Sequence, residues 1–127
     1  MKKIEILIVV DTASALSTRN LQDNVYMVDS NQWLGSWKEG SCQLHTVTEN
    51  GQLLVWSVCA VSPDSQVNIT SFSGQMISQK VCVPQSIVDD AWEGRIESRG
   101  ATGRYPYTIT LSVEGNNMRF SPFMEIQ

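Results

Sequence analysis

Apolar and polar positions alternate most cleanly in the last third of the chain. In WEGRIESR, Trp92, Gly94, Ile96 and Ser98 fall on one side, and Glu93, Arg95, Glu97 and Arg99 on the other. In YPYTITLSV, Tyr105, Tyr107, Ile109, Leu111 and Val113 share one side, against Pro106, Thr108, Thr110 and Ser112. A period of two is that of a strand with one buried face, so both stretches are expected to be strands. IEILIVV, near the start, is almost continuously apolar. It predicts a strand over residues 3–10 covered on both faces.

The remaining pattern is shorter-ranged. Asp11 and Thr12 are good N-caps for a helical turn, after which a loop leads to a short strand at 25–28. Residues 42–48 and 53–61 flank Glu49-Asn50-Gly51-Gln52. Asn-Gly tolerates positive φ at both positions, so this reads as a hairpin. Ser62-Pro63-Asp64-Ser65 is a turn leading to a strand at 67–72. Ser73-Gly74-Gln75 breaks that strand, and 76–83 resumes an extended pattern ending at Pro84. Residues 85–91 have no clear period and read as a loop. Glu114-Gly115-Asn116-Asn117 turns into MRF, and SPFMEIQ closes the chain, with Pro122 expected to mark a bulge or an edge strand. About nine or ten short strands, with no long helical period, predict an all-β domain spanning residues 1–127. The expected architecture is an antiparallel β-sandwich of Greek-key or jelly-roll type.

Composition narrows the function classes. A chain of 127 residues can bury a core without disulfides or a structural metal. The net charge is −4 and no Lys/Arg block occurs, so neither nucleic acid nor an anionic membrane surface is an expected partner. No apolar stretch approaches the length of a membrane-spanning helix, so no membrane insertion is expected. Met1-Lys2-Lys3 and the apolar residues after it imitate a signal peptide. Glu5 interrupts that short run and Asp11 follows it, and the segment reads instead as a first strand. The three cysteines, Cys42, Cys59 and Cys82, form no C-x-x-C pair, and there is one histidine. A Cys/His zinc site is therefore not expected. The thiols read as reduced and mostly buried in a cytoplasmic protein, with a pairing between two of them left open.

Candidate chemistry is sparse. A Ser–His–Asp site would need His45, a serine and an acid such as Asp11 or Asp29 to converge, and no spacing selects such a trio. G-x-S-x-G and phosphate-cradling glycine loops are absent from the sequence. Asp89-Asp90 are paired acids, and Glu93 and Glu97 sit among arginines where salt pairing explains them. Asp11, Asp29, Asn31, Asp64 and Asp90 offer oxygen ligands but no D-x-D-x-D-G run. The expectation is a protein with no catalytic residues, no metal and no cofactor. Asn68-Ile69-Thr70 matches a glycosylation sequon and reads as a chance match. The richest stretch is VYMVDSNQWLGSWKEG. Tyr26, Asp29, Asn31, Trp33 and Trp37 would suit a glycan, aromatic rings stacking on a sugar while the acid and amide hold hydroxyls. The same residues suit a strap that seals an apolar core. Both readings stand at this point.

Taken in order, several of these stretches resemble the bacterial PixA/AidA inclusion-body protein family. IEILIVVDTASAL is similar to its opening strand ending in V-V-D-T, and VYMVDSN to its Tyr-Met motif. ENGQLLVWSVCAVSPDSQVNI resembles its glycine turn and strand ending in Trp. RGATGRYPYTITLSV and FSPFMEI resemble its closing strands. The chain departs from the family in its compact loops between Val10 and Tyr26, and in Ser121-Pro122 where members tend to carry Asp-Pro. The resemblance implies a bacterial β-sandwich protein, soluble in the cytoplasm and sometimes accumulating as inclusions, with quorum-regulated expression and host association. It carries over no catalytic residue. The function expected from it is self-association to a homo-oligomer, or binding of a protein partner, with lectin-like glycan binding by the Trp33/Trp37 loop as the alternative.

Overall fold

The computed structural model describes residues 3–30, 44–87 and 91–127. The chain opens with β1 (Ile4–Val10), helix α1 (Thr12–Thr18), a 3-10 turn (Gln22–Asn24) and β2 (Val25–Asp29). Next come β3 (His45–Thr48), β4 (Leu53–Ala60), β5 (Val67–Gly74) and the helical turn α2 (Gln75–Ser78). The strands β6 (Gln85–Ser86), β7 (Trp92–Arg95), β8 (Gly103–Val113), β9 (Asn116–Phe120) and β10 (Phe123–Ile126) complete it. One sheet has the order β2-β1-β4-β7-β6, and the other β3-β10-β8-β5, with β9 also paired to β8. The expected two-sheet, strand-rich architecture is present. Its sheets are mixed rather than purely antiparallel: β1 runs parallel to β4, and β10 parallel to β3.

Alternation explains which residues fill the space between the sheets. Along β8, Tyr107, Ile109, Leu111 and Val113 are buried, while Pro106 is exposed and the threonines are half-buried. In β1, Ile4, Ile6, Ile8 and Val10 point inward, but Leu7 is 38% exposed on the other side. The expectation that β1 is covered on both faces is therefore corrected: a continuous apolar run here serves one core face and one outer face. Each fully buried Ile or Leu adds roughly 1.5–3 kcal/mol, and the two inner faces contribute most of these residues.

The expected hairpin between residues 42–48 and 53–61 does not form. β3 lies in the second sheet and β4 in the first, so the turn between them crosses the sandwich. Gln52 N–H donates to the Glu49 carbonyl at 3.1 Å, closing a turn with Gly51 at φ +90°. Asn50 does not join Gly51 at positive φ, so the two-residue hairpin geometry that wants both is not adopted. The Asn50 side chain instead accepts from Ser98 N–H at 2.8 Å, Ser98 Oγ at 3.2 Å and Arg99 N–H at 3.3 Å. Backbone bonds from Gly51 N–H to Ile96 and from Ile96 N–H to Gln52 dock the turn onto the chain after β7.

Three smaller differences have local causes. Residues 76–83 are not extended throughout, because Gly74 at φ +106° and Lys80 at φ +57° bracket α2 and its turn. The stretch read as a loop from residue 85 begins with the short β6. Pro122 introduces no bulge but follows β9, which among the described residues is an edge strand paired only with β8. Phe120 pairs with Ile109 and Phe123 with Pro106, so β9 and β10 follow one register along β8. The Thr108 and Ser121 hydroxyls are 2.9 Å apart across the interruption. The N-cap reading is met: Asp11 accepts from Ser14 N–H at 3.2 Å and starts α1. Among the described residues no helix is long and apolar enough to cross a membrane.

Candidate interaction surface

Among the described residues β5 ends the second sheet, with β8 on one side. Ile69 pairs with Leu111 and Ser71 with Thr110, which leaves Thr70 as an extra residue, a β-bulge. Its hydroxyl donates to the Thr110 carbonyl at 3.1 Å. Ile69 is buried, and Val67 and Phe72 are half-buried against the core. Asn68, Thr70, Ser71 and Ser73 are exposed. Among the described residues, no backbone hydrogen bond outside the strand ladders engages this strand. Natural edges are usually blunted by Lys, Pro or inward charges. Residues 65–79 contain no charged residue and no proline. β9, whose side away from β8 is unpaired among the described residues, carries Arg119.

A second exposed feature lies on the outer face of the first sheet. Leu7 is 38%, Val28 43% and Tyr26 45% exposed. The register sets Leu7 beside Val28 and Val9 beside Tyr26. On the other flank of β1, Leu7 faces Ser57 and Val9 faces the exposed Cys59. A shallow cleft of about 450 Å³ runs along this row between Glu5, Leu7, Val28 and Val55.

The candidate ligand residues are separated by the alternation of β2. Tyr26 points outward, whereas Asp29 points inward and is 6% exposed. Asp29 Oδ2 accepts from Thr46 Oγ1 at 2.8 Å, linking β2 of one sheet to β3 of the other. The strand therefore does not bring Tyr26 and Asp29 together. Asn31, Trp33 and Trp37 lie outside the described residues, as do Cys42, Asp89 and Asp90. His45 is buried, its ring 4.5 Å from that of Phe123. Arg95 donates to the Gly51 carbonyl at 2.7 Å, so this arginine of the β7 stretch serves the crossing turn. Among the described residues no three His, Cys, Asp or Glu side chains are grouped to hold a metal.

The two described thiols differ sharply. Cys59 is exposed; Cys82 is buried, and its pKa is pushed up to about 12, first by desolvation and then by the charge of Glu97. Only the thiolate is a strong nucleophile. With mass mapping of the modified sites, iodoacetamide at pH 8 is expected to label Cys59 and leave Cys82 unlabelled until denaturant is added. Equal labelling rates in the native protein would contradict the burial of Cys82.

The β5 edge and the Leu7–Val28 row are missed by motif reading, because no chemical motif marks them. The signal available was the charge-free run from residue 65 to 79.

Two mixed sheets closed over one apolar core define a β-sandwich of the kind seen in a solved bacterial protein. The crystal structure of the inclusion body protein PixA from Burkholderia cenocepacia J2315 superposes with a TM-score of 0.68. The match covers 98% of this chain and 93% of that one, at 14% sequence identity. The fold implied by the sequence resemblance is thus found. By sequence, the chain belongs to the family described as a domain of unknown function, DUF8788, whose model matches residues 2–119. A comparison with curated proteins finds no match.

Proposed function

We propose that this protein acts without catalysis, by associating with further copies of itself or with a protein partner through the open edge of β5. The observation that supports this reading is the eight-residue, uncharged strand at the end of the second sheet. An exposed edge offers a row of backbone donors and acceptors to any incoming strand. The solved neighbour with the same fold is named an inclusion body protein, a name compatible with a protein that accumulates by association. Residence in the bacterial cytoplasm, accumulation in inclusions and quorum-regulated, host-associated expression belong to the same proposal. The glycan alternative retains Tyr26 among its described residues, because Asp29 is committed to Thr46 inside the sandwich.

Sedimentation velocity over a wide concentration range tests the reading. A sedimentation coefficient that rises with concentration is the expected result. A strict monomer at the highest concentration reached overturns self-association, and a glycan array run on the same sample registers the alternative.

A further inference from the structure

We propose that the partner of the β5 edge is β5 of a second copy, paired antiparallel about a twofold axis that passes between Thr70 and Ser71. This inference rests on the association reading above and specifies its geometry. In an antiparallel pair, residues opposite one another point to the same face. A regular strand paired with itself therefore cannot set neighbouring residues against each other. The bulge removes that obstacle. Thr70 and Ser71 are both exposed, opposite the single residue Thr110 of β8. Asn68 and Ser73 are exposed on the same side, and Ile69 and Phe72 turn toward the core. Read outward from the bulge in either direction, the strand presents out, in, out.

A twofold axis at that point sets Thr70 against Ser71, Ile69 against Phe72 and Asn68 against Ser73 of the other copy. Polar residues meet polar residues, and apolar meet apolar. Phe72, half-buried in one copy, gains an isoleucine neighbour across the dyad. The absence of charge from residue 65 to 79 means that two chains of net charge −4 place no like charges opposite each other along the seam. The arrangement is isologous and closes at two copies, joining the two second sheets into one continuous sheet.

The test exploits the pairing of positions 68 and 73. Both side chains are exposed, so substitutions there are expected to leave the fold intact, checked by circular dichroism. The double variant Asn68→Lys/Ser73→Lys sets lysine against lysine twice across the axis, and the dimer should weaken about tenfold or more. The charge-swapped variant Asn68→Glu/Ser73→Lys sets opposite charges together twice and should dimerise at least as well as the parent. Sedimentation velocity and chemical cross-linking read all three proteins. A parent dimer unaffected by the two lysines overturns the β5 pairing while leaving self-association in place. Restoration failing in the charge-swapped variant overturns the register. A monomeric parent overturns the pairing and the self-association reading together.

Discussion

Replacing Trp56 by alanine is expected to destabilise the protein by about 3–5 kcal/mol, a large part of the roughly 5–15 kcal/mol that holds a typical domain folded. Trp56 is fully buried on β4 and faces the second sheet across the core. Its ring lies 5.0 Å from Phe72 and 6.2 Å from Tyr107. Nε1–H donates to the Tyr107 hydroxyl at 3.3 Å. Removing the indole therefore opens a cavity and strips the hydroxyl of this donor. Tyr107 is wholly buried, and desolvation holds its phenol well above the ordinary pKa, with the Trp56 hydrogen bond opposing that rise. Tyr107→Phe alone leaves the indole N–H without this acceptor, at a cost of about 1–3 kcal/mol. Trp56→Phe leaves the hydroxyl without this donor. The double variant Trp56→Phe/Tyr107→Phe removes both polar groups, so its loss should be smaller than the sum of the single losses. Urea unfolding followed by far-ultraviolet circular dichroism measures the parent and the four variants. A loss below about 1 kcal/mol for Trp56→Ala, or strict additivity in the cycle, would contradict this packing.

How far the sequence disclosed this fold depends on the range of each interaction. The inward residues of β8 and of the WEGRIESR stretch were legible, because burial of one face writes a period of two directly into the chain. The Asp11 cap was legible for the same local reason. The pairing of β3 and β4 was not. Asn50-Gly51 marks a turn, but whether the flanking strands then pair depends on partners elsewhere. Here the Asn50 amide is taken by Ser98 and Arg99, 48 and 49 residues away. The parallel neighbours β1 and β4 are likewise set by contacts distant in sequence. The outward side of β1 was misread because Leu7 and Val9 are apolar, and hydropathy alone does not say which apolar residue stays exposed.

The candidate site divides along the same line. Tyr26 and Asp29 are three residues apart, and the period of two puts an odd spacing on opposite faces of a strand. That conflict was readable once 25–28 was taken as a strand; it became decisive when the strand proved to extend through Asp29. The β5 edge was not readable. Which strand ends a sheet is a property of the whole topology, and the bulge at Thr70 follows from the register against β8, forty residues further on.

Gly94 is expected to be intolerant of even one added carbon: Gly94→Ala should lose roughly 1–3 kcal/mol by overpacking. The residue sits on β7 opposite Leu54 of β4, at an inward-facing position. A Cβ built there would lie 2.7 Å from Cys82 Sγ and 3.3 Å from Pro84 Cα. The chain at residues 82–84 thus fills the space that an inward side chain of β7 would occupy, and glycine permits that close approach. The segment has little room to recoil. Val81 and Cys82 N–H both donate to the Met76 carbonyl, at 3.1 and 3.2 Å, and Glu97 N–H donates to the Val81 carbonyl at 2.7 Å. The nearest obstacle is a side-chain sulfur, which gives a specific rescue. Cys82→Ala removes that atom, so it should cost less in the Gly94→Ala background than in the parent, by a coupling of about 0.5–2 kcal/mol. The contact with Pro84 is backbone, so recovery should be partial. Thermal unfolding of the two single variants and the double variant measures the coupling. A Gly94→Ala protein as stable as the parent would show that the 82–84 segment does not pack against β7, and additive losses would remove Cys82 as the obstacle.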